Sequence, residues 1–161
     1  MKAIIAAGVL LFSFMSFAAG KVTLYVTLSP AGSFQAVSNK AKGNVIKQGE
    51  ILTADKISVS IESFKTGIEL RDEHTWKHLK SEKHPKAILT KVKGQGGKAT
   101  GILEVSGVKK PVDIAYKVSG KDVDAKFSVK ASDFGLAKAE YLGVGVNDVI
   151  VIEAKLPYKV R

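Results

Sequence analysis

The spacing of apolar residues changes twice within residues 57–89, and this change constrains the fold more than any other feature of the chain. The segment begins with ISVSI, in which apolar and polar side chains alternate as in a strand with one face against an apolar interior. The spacing then becomes helical, with Trp76 and Leu79 on one face of a helix predicted near residues 72–81. Pro85 ends the helical pattern, because the residue before a proline disfavours helical geometry, and alternation then resumes. The segment therefore predicts a β-sheet with one short helix inserted into it.

Alternating segments of the same kind follow one another through most of the chain. They are separated by turns that contain glycine, and they cover residues 22–28, 33–38, 43–47, 103–105, 112–118, 123–130 and 146–160. The two short segments within residues 33–47 predict a hairpin. About eight strands joined by short links predict an all-β fold, namely an antiparallel sheet that closes into a barrel.

The first residues predict export from the cytoplasm. Lys2 precedes a mainly apolar run that ends in small residues, which is the layout of a secretory signal peptide over residues 1–18, cleaved after Ala18. The run is shorter than the roughly 20 residues that cross a bilayer, so an uncleaved anchor is the less favoured interpretation. Residues 19–161 then form a single domain, and the expected location is the periplasm. The chain has no cysteine, which excludes disulfides and thiol chemistry.

The formal net charge of +10 raises the question of a nucleic-acid partner. Arginine occurs only at Arg71 and Arg161, and the lysines are spread over the polar positions of the strands. Because no basic patch interleaved with aromatic residues is present, we expect no nucleic-acid partner. The lysines are interpreted as a solvated outer face, with weak association with an anionic membrane surface as a secondary possibility.

The predicted inward positions of the strands are almost all aliphatic or phenylalanine. A barrel of about eight strands is of the size at which side chains either fill the interior or leave space for one ligand, and the alternation pattern leaves both outcomes open. The sequence has no serine nucleophile motif, no phosphate-binding glycine loop and no pair of carboxylates in an apolar setting. We therefore expect a protein that is not an enzyme and needs no cofactor.

Several motifs carry a family resemblance that runs through residues 19–161. In order along the chain they are SFKTGIELRDEH, EKHP, GILEVSGVKKPVDI, SDFG and GVGVNDVIVIEA. Together they resemble the YceI-like family of periplasmic proteins. The resemblance implies a lipocalin-like barrel whose apolar tunnel binds a polyisoprenoid, such as the tail of a quinone or a polyprenyl carrier. It implies a role in binding or transport of that lipid.

Alternation within this barrel predicts which side chains line the tunnel. The predicted lining residues are Phe34, Ile57, Val59, Ile61, Ile88, Leu103, Val112, Ile114, Phe127, Val129, Ile150 and Ile152, with Trp76 and Leu79 as a lid at one end. Arg71 is a candidate for contact with a polar head group, because its planar guanidinium suits phosphate and similar groups. The structural alternative, which we favour, is that Asp72 caps the helix while Arg71 pairs with a nearby carboxylate.

Two alternative functions remain open. His74, His78 and His84 are the histidines of the chain, and the first two have the spacing that places two imidazoles on one helical face, as in a zinc or copper site. The helical wheel, however, places that pair opposite Trp76 and Leu79, toward solvent. The other alternative is a structural or stress-related envelope protein with a filled barrel. A homodimer is possible in either case.

Overall fold

The computed structural model describes residues 19–161, and the predicted signal peptide over residues 1–18 lies outside them. The strands are β1 (Gly20–Ser29), β2 (Ser33–Gly43), β3 (Val45–Gln48), β4 (Ile51–Ser60), β5 (Lys86–Gln95), β6 (Lys98–Val105), β7 (Val108–Ser119), β8 (Asp122–Lys130), β9 (Glu140–Tyr141), β10 (Val144–Val146) and β11 (Val149–Val160). The helix α1 spans Glu69–His78, and two 3₁₀ turns cover Ile61–Ser63 and Ala131–Phe134.

Eight of these strands form a closed antiparallel barrel in the order β1, β2, β4, β5, β6, β7, β8, β11. The sheet closes where β11 returns to β1, with Lys21 opposite Lys155 and Tyr25 opposite Val151. Neighbouring strands are joined mainly by tight turns, so most of the ladder forms between segments that are close in sequence. The structure confirms the predicted all-β barrel with one inserted helix.

The two ends of the barrel are built differently. At one end β3 pairs antiparallel with β4 and parallel with β11, so that it bridges two strands of the barrel. We call this the closed end. The opposite end carries the β1–β2 hairpin, α1, the β6–β7 turn and the segment 131–148, and we call it the open end.

The hairpin predicted within residues 33–47 is wrong. Residues Ser33–Gly43 form the single strand β2, which pairs along β1 and then crosses onto β4 at Lys42 and Gly43. The chain approaches β4 so closely at this crossing that a Cβ on Gly43 would lie 2.6 Å from the carbonyl oxygen of Lys56. The chain therefore continues into β3 rather than folding back on β2.

One β-bulge changes the face of β5. Lys91 has a positive φ of 53°, and the register with β6 shifts between Thr90 and Lys93. Ala87 and Leu89 therefore face the interior before the bulge and Val92 faces it afterwards. The prediction that Ile88 faces inward is wrong, because strict alternation does not continue through the extra residue at Lys91.

The helix begins three residues earlier than predicted, at Glu69 instead of residue 72, and ends at His78. Its start follows from contacts between α1 and Thr66, described below, and it ends before Lys80, which has a positive φ of 56°. The carbonyl of Leu79 accepts a hydrogen bond of 2.7 Å from the hydroxyl of Ser106 in the β6–β7 turn. This bond fixes the C-terminal end of α1 over the open end of the barrel.

Candidate functional site

The barrel encloses a cavity of about 1020 Å³. All eight barrel strands contribute side chains to its wall, and nearly all of those side chains are apolar. Near the closed end the wall residues are buried and belong to the hydrophobic core. They include Val22, Ala41, Val45, Leu52, Val123 and Leu156. Near the open end some wall residues are half-buried or exposed, among them Leu28, Leu70 and Leu142, while others such as Ile61 and Phe134 are buried. The cavity therefore opens to solvent at one end.

Most of the residues predicted to line a tunnel border this cavity. They are Phe34, Ile57, Val59, Ile61, Leu79, Leu103, Ile114, Phe127, Val129, Ile150 and Ile152. The residues come from six different strands, the 3₁₀ turn before α1 and the end of α1, so the topology brings together side chains that are far apart in sequence. Their role in binding a ligand stays a prediction.

Three predicted lining residues lie elsewhere. Ile88 is on the opposite face of β5 because of the bulge at Lys91. Val112 is buried in the core, where β7 packs against the 3₁₀ turn Ala131–Phe134, and it does not border the cavity. Trp76 is also outside the cavity wall, since its indole packs against the segment before α1.

The predicted lining set selected bulky residues and left out small side chains in the wall, although alternation places Ala125 on the same face as Phe127. Ala125 lies opposite Ala154 across β8 and β11 and opposite Tyr116 across β7 and β8. Ala54 and Ala99 also border the cavity. At an inward position an alanine occupies less of the lumen than a larger side chain would. These residues therefore contribute to the open space. The signal in the sequence was alanine at inward positions of the alternating pattern.

The mouth of the cavity lies between α1 and the β9–β10 hairpin. Leu70 on α1 is 61% exposed and Leu142 on the hairpin is 85% exposed, and both border the cavity. Ile68 and Val144 are further exposed apolar residues of this rim. The mouth is thus edged by large apolar side chains on both sides.

The face of α1 that borders the cavity is polar. Arg71, His74, Thr75 and His78 have the spacing of a single helical face, and all of them border the cavity. His74 is exposed, as expected, but the expectation that the pair lies on the side of α1 away from the barrel is wrong, since both residues border the cavity. Trp76 was predicted to face inward because it shares an apolar helical face with Leu79, but its indole N–H has a polar partner outside the cavity.

Helix α1 is attached to the segment Phe64–Thr66 by the side chains of Asp72 and Trp76 in the helix and of Lys65 in the segment. The Asp72 Oδ1 accepts hydrogen bonds of 2.6 Å from both the backbone N–H and the hydroxyl of Thr66. The Trp76 Nε1–H donates to the carbonyl of Phe64 at 3.0 Å, and the Nζ of Lys65 lies 4.3 Å from the centroid of the indole ring. These contacts give a structural role to Thr66 and Asp72 in the motif TG followed by RD. They also fix α1 at the mouth of the cavity.

Asp72 is buried and ionised in this network. Burial raises its pKa, but the hydrogen bonds from Thr66 and the nearby charges of Lys65 and Arg71 outweigh that effect and hold the pKa below its ordinary value. The expected helix cap is wrong, because Asp72 lies inside α1 and bonds to Thr66, while the N-cap residue is Ile68.

Arg71 is half-buried at the mouth. Its Nη2 donates a hydrogen bond of 2.9 Å to the carbonyl of Thr66, and its Cζ lies 4.4 Å from the centroid of the Phe34 ring. The Nε is buried and has no acceptor among residues 19–161. The expected pairing of Arg71 with a carboxylate is wrong, since none of the ion pairs in this part of the chain includes it.

The histidines do not converge. Burial lowers the pKa of His78, and the charge of Lys80 lowers it further, so this imidazole is neutral near pH 7. His84 packs against Gly107, where an added Cβ would lie 2.7 Å from its Cε1. Within the described part of the chain no group of three or more His, Asp or Glu side chains is arranged to hold a metal ion.

The segment 131–148 forms the other side of the mouth, and hydrogen bonds join its two ends. The Asp148 carboxylate accepts hydrogen bonds from the backbone N–H of Ser132 at 2.8 Å and from its hydroxyl at 2.5 Å. These bonds hold the pKa of Asp148 below its ordinary value. Gly135 follows the 3₁₀ turn with a left-handed φ of 68°, which favours glycine. The motifs SDFG and GVGVND thus meet in space.

Comparison with models of protein families identifies the family of this barrel. A model of the YceI-like domain matches residues 13–158. The chain belongs to the YceI-like family. The match starts within the predicted signal peptide and covers all of the barrel as far as Tyr158. A comparison with curated proteins finds no match.

Solved structures share the YceI-like fold. BcnA of Burkholderia cenocepacia is similar with a TM-score of 0.66 and 18% identity, covering 84% of this chain and 94% of that one. A polyisoprenoid binding domain from Saccharophagus degradans gives 0.63 and 12%, with coverage of 87% and 93%. The YceI protein of Campylobacter jejuni gives 0.52 and 20%, with coverage of 74% and 82%. At these identities the similarity establishes the fold.

The helical content of this YceI-like protein is small. Over residues 19–161, none of the helices has the length and apolar character needed to span a bilayer.

Proposed function

We propose that this protein binds an isoprenoid or another long-chain apolar lipid, of the quinone or polyprenyl type, inside the barrel and carries it in the periplasm. The observation that supports this most directly is the apolar cavity of about 1020 Å³ with a mouth at the open end. A binding role of this kind needs no catalytic residues. Membership of the YceI-like family and the fold shared with a polyisoprenoid binding domain from Saccharophagus degradans add support.

Burial of an isoprenoid tail supplies enough free energy for binding. At about 0.8 kcal/mol per buried methylene, each isoprene unit contributes roughly 4 kcal/mol of gross transfer free energy. The loss of ligand freedom costs about 4–15 kcal/mol, so a few units offset it. The cavity is at the upper end of the range of about 300–1,000 Å³ typical of small-molecule sites. We therefore expect affinity to rise with tail length until the cavity is full.

The space inside the barrel favours this function over a structural envelope protein with a filled core. Ala125 and Ala154 lie opposite each other in the wall, and Phe127, Val129 and Ile152 remain only half-buried. A barrel that serves only as a rigid body gains stability by filling such positions with larger side chains.

The direct experiment is native mass spectrometry of the protein purified from its host, followed by organic extraction. We expect an isoprenoid to co-purify. Delipidated protein should then bind farnesol, geranylgeraniol and a longer polyprenol with increasing affinity. A consistently ligand-free protein that also fails to bind these alcohols would contradict the proposal and favour the filled barrel.

A variant that reduces the cavity makes the experiment specific. Ala125→Phe should fill the middle of the lumen, so that affinity for the longer polyprenol falls by about a hundredfold or more while the fold persists. Ala115→Phe is the matched control, because Ala115 is exposed on the same pair of strands. If both variants bind like the wild type, the lipid does not lie in the cavity.

Exchange of lipid with a membrane is part of the proposal. The exposed apolar rim at Leu70 and Leu142, together with the excess of basic over acidic residues, supports weak association with an anionic membrane surface. Sedimentation with phosphatidylglycerol vesicles should be reduced by Leu142→Asp and unchanged by Val160→Asp, which alters an exposed apolar residue at the closed end. Equal effects of the two variants would argue against docking through the mouth. A homodimer stays a prediction that the native mass spectrum tests.

A further inference from the structure

The hydrogen-bonded ladder between β7 and β8 stops partway along the barrel wall. It runs from the β7–β8 turn as far as Ala115 opposite Lys126. Beyond that point β7 still pairs with β6, and β8 still pairs with β11. Toward the open end, residues 110–114 of β7 and 127–130 of β8 are therefore edges that no ladder joins within residues 19–161. We call the opening between these two edges the seam.

Neighbouring hydrogen bonds show which backbone groups face the seam. The N–H of Tyr116 donates toward β6, and the N–H of Ala131 donates toward the residue before β11. Because backbone groups alternate between the two sides of a strand, those of Asp113 and Ser128 point into the seam. Both residues are exposed, and within residues 19–161 neither forms a backbone hydrogen bond across the seam.

Of the two edges, β8 is the one that can pair with a further strand. Pro111 on β7 has the same orientation as Asp113, so the N–H that proline lacks would have pointed into the seam. Proline within a sheet is normally confined to such edges. Ser128 and Lys130 on β8 share one orientation, and both retain an N–H and a C=O for pairing.

A comparable gap between β2 and β4 is filled by the chain itself. β2 pairs with β4 only at Lys42 and Gly43. Farther toward the open end, the segment Phe64–Thr66 runs beside β2, where Val37 and Lys65 exchange two backbone hydrogen bonds of 2.9 Å. The barrel thus accommodates an extended segment at such a gap. Nothing within residues 19–161 pairs with the edges of the seam in this way.

The seam opens into a groove of about 1070 Å³ on the outside of the barrel. The floor of the groove is apolar, because Phe127, Val129 and Phe134 border it. Five lysines and two aspartates also border it, namely Lys93, Lys98, Lys110, Lys126 and Lys130 with Asp113 and Asp133. Lys126 forms an ion pair with Glu153, whereas the other four lysines form none within residues 19–161. The groove therefore attracts anions.

We propose that this groove binds an extended acidic segment of a partner protein, which adds antiparallel to the edge of β8 as a strand. The backbone of the segment pairs with Ser128 and Lys130, one of its faces contacts the apolar floor, and the other directs carboxylates to the lysines. An anionic membrane or glycan uses the charge but leaves the strand edge unpaired, so a peptide accounts for more of the observations. The inference goes beyond the lipid function and does not depend on it.

Three synthetic hexapeptides test this mode of binding by calorimetry. The first alternates valine with glutamate, the second alternates valine with lysine, and the third is the first peptide N-methylated at its glutamates. In an antiparallel pair, the residue opposite Ser128 has its side chain on the same outer face and its N–H toward β8, so the glutamate N–H groups are the ones that pair. The glutamate peptide should bind at least about tenfold more tightly than the lysine peptide, and N-methylation should weaken its binding about tenfold.

A pair of substitutions tests the charge of the groove. Lys98→Glu together with Lys110→Glu should weaken binding of the glutamate peptide about tenfold, since two attractive charges become repulsive. Lys40→Glu together with Lys42→Glu is the matched control, because it changes the net charge equally at exposed positions of β2, on the opposite side of the barrel. The amide of Ser128 should also exchange hydrogen more slowly when the peptide is bound.

Each result supports or overturns the proposal. Equal affinities for the glutamate and lysine peptides, or no binding of either, would show that the groove is not a site for acidic peptides. Unchanged affinity after N-methylation, or unchanged exchange at Ser128, would exclude strand addition. If the substitutions at Lys98 and Lys110 reduce sedimentation with phosphatidylglycerol vesicles but not peptide binding, the groove faces a membrane and the proposal is wrong. Should the doubly substituted protein not fold, as judged by circular dichroism, the three peptides decide the question on the wild type.

Discussion

The closed and open ends of this barrel share the same strands but have different side chains. On β8, Val123 near the closed end is only 4% exposed, whereas Val129 near the open end is half-buried and borders the cavity. The ladder from β8 to β11 is continuous between them. This difference shows that the backbone of the sheet does not determine whether the barrel is filled. The size and packing of the inward side chains determine it separately at each position along the barrel axis.

Polar groups are distributed just as unevenly. The closed end combines β3 with a compact apolar core, whereas the open end concentrates the networks around Asp72 and Asp148 and the donors of Arg71. Apolar packing contributes at both ends, since Phe64, Phe134 and Leu136 at the open end also belong to the core, and hydrogen bonds to the carboxylates of Asp72 and Asp148 are added at the open end. This division predicts that substitutions at the two ends affect different measurements.

The largest difference is expected for leucine-to-alanine substitutions. Leu156→Ala at the closed end should lower the free energy of unfolding by about 2–5 kcal/mol, because it leaves a cavity in a packed core. Leu28→Ala at the open end should cost about 1 kcal/mol or less, because Leu28 is half-buried and outside that core. Urea denaturation of both variants measures this. Equal losses would show that the two ends are packed alike.

A smaller effect is expected at Asp72. Because its folded-state pKa lies below the ordinary value of 3.8, its ionised form stabilises the fold above that value, and the contribution is lost as pH falls through the folded pKa. Asp72→Asn should therefore lower the free energy of unfolding by about 1–2 kcal/mol at pH 7. The difference from wild type should shrink in acid, below the folded pKa.

The control for this measurement is Asp113→Asn, which changes an exposed aspartate on β7. It should alter the free energy of unfolding by less than about 0.5 kcal/mol. A loss for Asp72→Asn that is independent of pH would contradict the assignment of the effect to the ionised carboxylate.

The smallest effect is expected at Asp148, which is exposed. Asp148→Asn should speed amide hydrogen exchange of Ser132, since the Ser132 N–H donates to this carboxylate. The pKa of Asp148 is lowered by the hydrogen bonds from Ser132, so in the wild type the protection should be present above the ordinary value of 3.8 and lost as pH falls through the folded pKa. Asp133→Asn, an exposed neighbour, is the control and should leave this exchange unchanged.

Much of the barrel could be predicted from periodicity. On β8 the alternating set Val123, Ala125, Phe127 and Val129 borders the cavity as alternation requires. Alternation predicts the inward side chains where a strand is regular, because successive side chains point to opposite faces of the sheet. They fail at Ile88, since the bulge at Lys91 adds a residue that no turn signal marks.

The site was less predictable because it depends on contacts across the fold. The orientation of α1 follows from the hydrogen bonds that Asp72 and Trp76 make to the preceding segment, and a helical wheel based on apolar spacing does not include them. The cavity depends on facing pairs such as Ala125 and Ala154, which are assigned only once the strand register is known. Residue types alone suggest an apolar interior, whereas its volume requires three-dimensional packing.

Because β3 pairs with both β4 and β11, it closes one end of the lumen. A lipid bound as proposed would therefore enter and leave without passing this end. Its residence time should then lengthen with each additional isoprene unit that has to be withdrawn from the apolar wall.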